Sequence, residues 1–148
     1  MNHDHYASGY TRKILRSVHT IAVVGASPNR SRPSHSAMDF LIAKGYRVIP
    51  VNPGHAGKEI LGQTVVAHLC DIEEPVDMVD VFRAPSQLSA VVDEVLALDR
   101  RPAVIWGEFG VRDDAAAEKA EAAGLQVVMD RSPVAEFPAR TRVAAMSA

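Results

Sequence analysis

The segment GASPNRSRPSHS, residues 25–36, gathers residue types that bind anions. An apolar run, IAVV at 21–24, enters it, and a helix-like pattern, AMDFLIAKG at 37–45, leaves it. Where a strand turns into a helix, the first N–H groups of the helix have no intrahelical partner and favour an anion. Arg30 and Arg32 add forked donors suited to phosphate oxygens. A G-x-G-x-x-G dinucleotide loop starting at Gly25 requires glycine at 27 and 30, where this chain has Ser27 and Arg30. Serine at 27 keeps some backbone access and adds a hydroxyl donor. The loop therefore reads as phosphate-binding, with a geometry unlike that of a dinucleotide enzyme.

The end of the second strand narrows the ligand. NAD enzymes place an acid there to hold the ribose 2′-hydroxyl. Here the strand ends in VNPG, and its polar residue is the neutral Asn52. Asn52 does not repel a ribose phosphate, and its amide has the donor and acceptor to read an adenine edge. His55 and Lys58 lie just beyond and can add positive charge. An adenine nucleotide with an extra ribose phosphate and a diphosphate fits this set. NADP answers that description, and so does coenzyme A, a 3′-phosphorylated ADP carrying a pantetheine arm.

The elements that must position these residues alternate along the chain. TRKILRSV at 11–18 reads as a lead-in helix, after a polar and frayed segment over 1–9. Strands are predicted at 21–24, 46–51, 77–82, 103–106 and 125–130. Helices are predicted over 34–44, over 85–99, and from a cap at Asp113 or Asp114 to Gly124. Residues 52–75 are turn-rich, with room for a short strand or helical turn, and the tail from Ser132 is extended or loose. This order implies a Rossmann-like three-layer α/β/α fold with a mostly parallel sheet of about five strands. Such a sheet binds ligands beyond the carboxyl ends of its strands. The segments there are 25–32, 52–57, 82–85, 106–110 and 130–133.

Composition bounds the remaining classes. The 148 residues suffice for one domain, and 47% hydrophobic with 23% charged residues is a globular composition. The net charge of −2 gives no electrostatic case for a nucleic-acid partner. The single cysteine, Cys70, excludes an intramolecular disulfide and a thiolate metal cluster. No apolar run approaches a membrane span, and residues 1–17 lack the apolar core of a secretory signal. A cytoplasmic protein is expected.

The runs IAVVGASPNRSRPSHS, GYRVIPVNPGHAG with EILGQ, DIEEPVDMVDVFR and AEAAGLQVVMDRSP together resemble the small stand-alone CoA-binding domain proteins. They are more distantly similar to the CoA-binding domain of the succinyl-CoA ligase α subunit. The resemblance spans residues 11–138, between a flexible N-terminus at 1–10 and a tail at 139–148. It implies non-covalent binding of coenzyme A or an acyl-CoA. Carried over, it places Gly25, Ala26 and Ser27 in the first loop, with Arg30 and Arg32 near the phosphates. Val51, Asn52 and Pro53 fall around the adenosine. Phe82 and Arg83 fall beside the nucleotide or the start of the arm. Trp106 and Gly110 belong to a segment that often reads Trp-x-Gln-x-Gly in the family. Glu108 replaces the glutamine here and puts an acidic group near the expected arm. Ser132 stands where relatives often carry cysteine, so a thiol role at that position is absent.

No G-x-S-x-G turn and no H-E-x-x-H pair occur. The leading expectation is a binding module without a reaction of its own, with a protein partner or homodimer left open. The alternatives are an NADP-dependent oxidoreductase, for which the chain has no room for a substrate domain, another nucleotide-binding Rossmann protein, and an interaction protein that binds no nucleotide. His3, Asp4 and His5 read as an inert terminal cluster and Cys70 as a small packed residue.

Overall fold

The computed structural model describes residues 1–137 of the chain. Five parallel strands form the central sheet: β1 (Thr20–Val24), β2 (Arg47–Val51), β5 (Met78–Val81), β6 (Val104–Gly107) and β7 (Gln126–Val128). Two further strands, β3 (Glu59–Ile60) and β4 (Gln63–Thr64), make a small antiparallel hairpin. The sheet order is β2-β1-β5-β6-β7. The chain steps outward from β1 to β2, then crosses back to β5 and continues the other way. The switch point therefore lies between β1 and β5.

Strand alternation divides the core in two. Ile21, Val23, Val48, Met78, Val104 and Trp106 face α1 (Ser8–Ser17) and α2 (Pro33–Ala43), meeting Ile14, Leu15, Met38 and Leu41. Ala22, Val24, Val79, Val81 and Ile105 face α3 (Leu88–Leu96) and α4 (Asp114–Ala122), meeting Leu88, Val92, Val95 and Ala120. Each large side chain so buried contributes about 1.5–3 kcal/mol. The result is the three-layer fold that the alternating pattern implies.

Local chemistry sets the element ends. Pro33 occupies the first turn of α2, where its missing N–H is not needed, and Gly45 with φ +98° closes the helix. Asp113 caps α4 through a hydrogen bond from the Ala116 N–H. The predicted helix over 85–99 is shorter, because residues 85–87 form a separate 3-10 turn after Pro85. Its carboxyl end is tied by Arg101, which donates from Nε and Nη2 to the Leu96 carbonyl. Leu61 and Gly62, both with positive φ, form the β3–β4 turn in the region read as turn-rich.

Three further segments differ from expectation. His3 is buried and bonds to Tyr6 and Glu121, while the Tyr6 hydroxyl accepts from the Met129 N–H. Residues near the amino terminus are thus packed, where polarity alone suggests fraying. Cys70 is exposed rather than packed. Ser132 caps a short helix, α5 (Pro133–Glu136), where a loose tail is expected. The tail at 139–148 lies outside the described residues.

Candidate functional site

A cleft of about 550 Å³ opens at the carboxyl ends of β1, β2, β5 and β6, over the switch point. The loop after β1 supplies Gly25, Ser27 and Arg32, and α2 supplies Pro33 and Ser34. Asn52 and His55 enter from the end of β2, Phe82 and Arg83 from β5, and Glu108, Phe109 and Val111 from β6. A cavity of about 260 Å³ beside Cys70, Val76 and Pro102 lies instead towards the amino ends of β5 and β6. Only the first has loops of four strands and a helix N-terminus converging on it, the arrangement by which such sheets hold ligands.

Two cationic side chains line the cleft. Arg32 and Arg83 form no hydrogen bond or ion pair through their side chains with the described residues, so both guanidinium groups are free for an anion. Arg32 directly precedes α2, and the first turn of that helix faces the cleft. Ser34 is buried, and its hydroxyl accepts from the Ser27 N–H at 3.1 Å, which fixes the loop over the helix end. The His55 Nδ1 is shielded from solvent and lacks a hydrogen-bond partner among the described residues.

Two contacts shape the loops. Gly25 adopts φ +86°, and its backbone passes directly against the Phe82 carbonyl. Asn52 donates from Nδ2 to the Ala26 carbonyl at 2.8 Å and accepts at Oδ1 from the Gly54 N–H at 2.9 Å. Its amide thus ties the first loop to the second, with both ends engaged inside the chain, instead of being free to read an adenine edge. What it brings to the cleft is a neutral side chain.

The segment after β6 brings one acid, Glu108, to the cleft, and a second, Asp80, lies buried beside it. Asp80 is fully buried between Val23 of β1 and Trp106 of β6. Glu108 follows β6 on the same face as Trp106, and its N–H extends the ladder to the Val81 carbonyl at 3.2 Å. The Asp80 and Glu108 carboxyls are within hydrogen-bonding reach of one another. Among the described residues neither Asp80 oxygen, nor Oε2 of Glu108, finds an N–H or O–H donor elsewhere. Two ionised carboxylates offer only acceptors and cannot satisfy one another. Burial holds Asp80 well above the usual carboxylate range, and the hydrogen bond from Glu108 offsets part of that rise. Burial raises Glu108 as well, and the adjacent Asp80 charge raises it further.

The remaining residues singled out from the sequence stand behind or beside the cleft. Ala26, Val51 and Trp106 are buried, and the Trp106 Nε1 donates to the Arg131 carbonyl at 2.9 Å. Arg30, Pro53 and Gly110 are exposed and do not line the cleft. Gly110 donates its N–H to Asp130 Oδ1 at 2.7 Å, joining the loops after β6 and β7. Ser34, Phe109 and Val111 line the cleft without having been singled out. Ser34 was legible as the hydroxyl in the first turn of α2. Phe109 and Val111 carry no motif, and only the tight turn over 107–111 brings them in. Asp80 reads as one polar residue in a buried strand, and its partner follows from the register alone. Among the described residues no group of three or more His, Cys, Asp or Glu side chains could hold a metal ion, and no helix is long and apolar enough to cross a membrane.

Comparison with known proteins follows the same lines. Residues 19–138 match the sequence model of a family described as CoA binding domain. The Bacillus subtilis protein YneT is 37% identical over 119 residues, which are 80% of this chain and 85% of that protein. A solved structure from Thermus thermophilus is 43% identical with a TM-score of 0.82, covering 88% of this chain and 96% of its own. A hypothetical protein from Pyrococcus horikoshii OT3 is 32% identical with a TM-score of 0.82, covering 90% and 91%.

Proposed function

The chain belongs to the CoA binding domain family, and on that premise we propose that its cleft binds coenzyme A, or an acyl-CoA, without a covalent bond. The observation that carries the reading is the pair of guanidinium groups, Arg32 and Arg83, unengaged among the described residues, in a cleft at the switch point of the sheet. In this reading the diphosphate lies against the first turn of α2, with Ser27, Ser34 and Arg32 around it. The neutral Asn52 and the positive side of the cleft accommodate the ribose phosphate. The arm runs past Phe82 towards Phe109 and Val111, which offer apolar surface. The cleft volume suits a ligand of this size, since pockets for organic ligands span about 300–1,000 Å³.

We further propose that the domain is a cytoplasmic binding module that senses or presents the coenzyme and carries out no reaction itself. NADP is the competing ligand, because a neutral residue at the end of β2 tolerates its ribose phosphate equally. A thermal-shift series with CoA, acetyl-CoA, dephospho-CoA and NADP separates the two, since a ligand that binds only the folded state raises its stability. CoA is expected to give the largest rise, reduced for dephospho-CoA. A rise with NADP alone would replace the reading by a reductase, and no rise with any of them would remove it.

A further inference from the structure

Glu108 lines the cleft from the segment after β6, with Asp80 buried beside it, whereas Ser27 and Arg32 line it from the loop after β1. Asp80 has no exposed surface, and Glu108 is 6% exposed at the cleft wall. Strand register places them diagonally on one sheet face, since Asp80 pairs with Trp106 and Glu108 lies two residues further on. Among the described residues no N–H or O–H donor of the kind other buried carboxylates use meets Asp80. One shared proton therefore satisfies the contact and leaves the negative charge of the pair on the deeper residue, Asp80. The Glu108 carboxyl that meets the cleft is then neutral. With its O–H directed to Asp80, its other oxygen is an acceptor of carbonyl type. Its neighbours in the cleft are Phe109, which is 67% exposed, Phe82 and Val111, while the cationic and titratable groups sharing the space are Arg32, Arg83 and His55.

We propose that Asp80 and Glu108 share a proton, and that the neutral Glu108 carboxyl so formed is the seat for an uncharged N–H group of the ligand, an amide on an otherwise apolar arm. The proposal rests on the coenzyme reading above and adds to it. It assigns the amide-bearing arm to the Glu108 wall and the phosphates to the Arg32 side. The wall selects for an uncharged N–H because the free oxygen of a neutral carboxyl only accepts a hydrogen bond, whereas an ionised carboxylate there would draw a cation. Asp80 is a positioning residue in this scheme, and Glu108 is the contact.

Two measurements test it. The first is the infrared band of a protonated carboxyl at neutral pH, compared between the wild type and Glu108→Gln. The second is calorimetric titration of CoA and of adenosine 3′,5′-bisphosphate, which lacks the arm, into the wild type, Glu108→Gln and Glu108→Met. The band is expected in the wild type and absent from Glu108→Gln. Glu108→Gln keeps both a donor to Asp80 and an acceptor towards the cleft, so both affinities should stay within about threefold. Glu108→Met should weaken CoA about tenfold and leave the bisphosphate within about threefold. If Glu108→Met does not fold, Asp80→Asn/Glu108→Met carries the same comparison with a neutral residue at 80. A wild type without the band overturns the shared proton. Equal effects of the Met variant on both ligands, or none on either, overturn the seat. A wild type that binds neither ligand overturns the coenzyme reading instead, and the band alone then decides for the proton-sharing pair.

Discussion

Gly25 and Phe82 meet at the switch point so closely that a Cβ on Gly25 would lie 2.1 Å from the Phe82 carbonyl oxygen. The contact joins the loop after β1 to the end of β5 and fixes the width of the cleft between them. Gly25 also has φ +86°, a conformation that costs other residues about 1–2 kcal/mol. Gly25→Ala is therefore expected to lose about 3 kcal/mol or more of stability, read by urea unfolding. Because β5 must move to admit the methyl group, ligand affinity should fall with it. An alanine variant as stable as the wild type would show that this approach is not required.

The amide of Asn52 makes a second tie, between the loops after β1 and β2. Asn52→Ala removes both hydrogen bonds and is expected to cost about 1–3 kcal/mol. Asn52→Asp keeps the Gly54 contact but sets a carboxylate against the Ala26 carbonyl. It also adds a negative charge to the wall that this account gives to phosphate. The aspartate should therefore bind CoA at least about tenfold more weakly than the alanine variant, with the gap narrowing at high salt. Equal affinities in the two variants would place the phosphates elsewhere.

The acid pair ties stability to pH, and the sign follows from its raised titration. In the unfolded chain both carboxyls lose their protons near pH 4. Burial keeps protons on the folded pair to higher pH. Between these limits the folded state binds more protons than the unfolded one, so stability falls as pH rises. The contribution is complete below the unfolded carboxyl range and is lost as pH passes through the raised range of the pair. Above pH 5, denaturant unfolding should show the wild type losing up to about 1.4 kcal/mol per pH unit more than Glu108→Gln. Parallel pH profiles for the two proteins would mean that the pair ionises as ordinary surface carboxyls do.

Much of this arrangement was legible before any coordinates. Apolar runs such as IAVV and MVDV specify strands buried on both faces, and the stripe of Met38 and Leu41 specifies the helix between the first two. The loops then fall at the strand ends, which brings Gly25, Ser27, Arg32, Asn52, Phe82 and Arg83 into one cleft. What the pattern does not carry is contact across strands. Asp80 interrupts an apolar run with no local sign of its partner, and Glu108 meets it only because β5 and β6 pair in the register that opposes Asp80 to Trp106. Trp106 could equally wall the cleft or fill the core by sequence, and the bond from its indole to the Arg131 carbonyl belongs to the core. The packed amino terminus was hidden for the same reason. Its order comes from His3, Tyr6 and Tyr10 reaching Glu121, Met129 and Val127, more than a hundred residues away.

Calorimetric titration of CoA into the wild type and Arg32→Ala decides whether the cleft at the strand ends holds the phosphates of coenzyme A. The wild type should bind one CoA per chain with micromolar or tighter affinity. Arg32→Ala, which removes a free guanidinium and leaves the core untouched, should bind about tenfold more weakly with a smaller dependence on salt. Absence of binding to the wild type, or the same affinity and salt dependence in both proteins, would contradict the account.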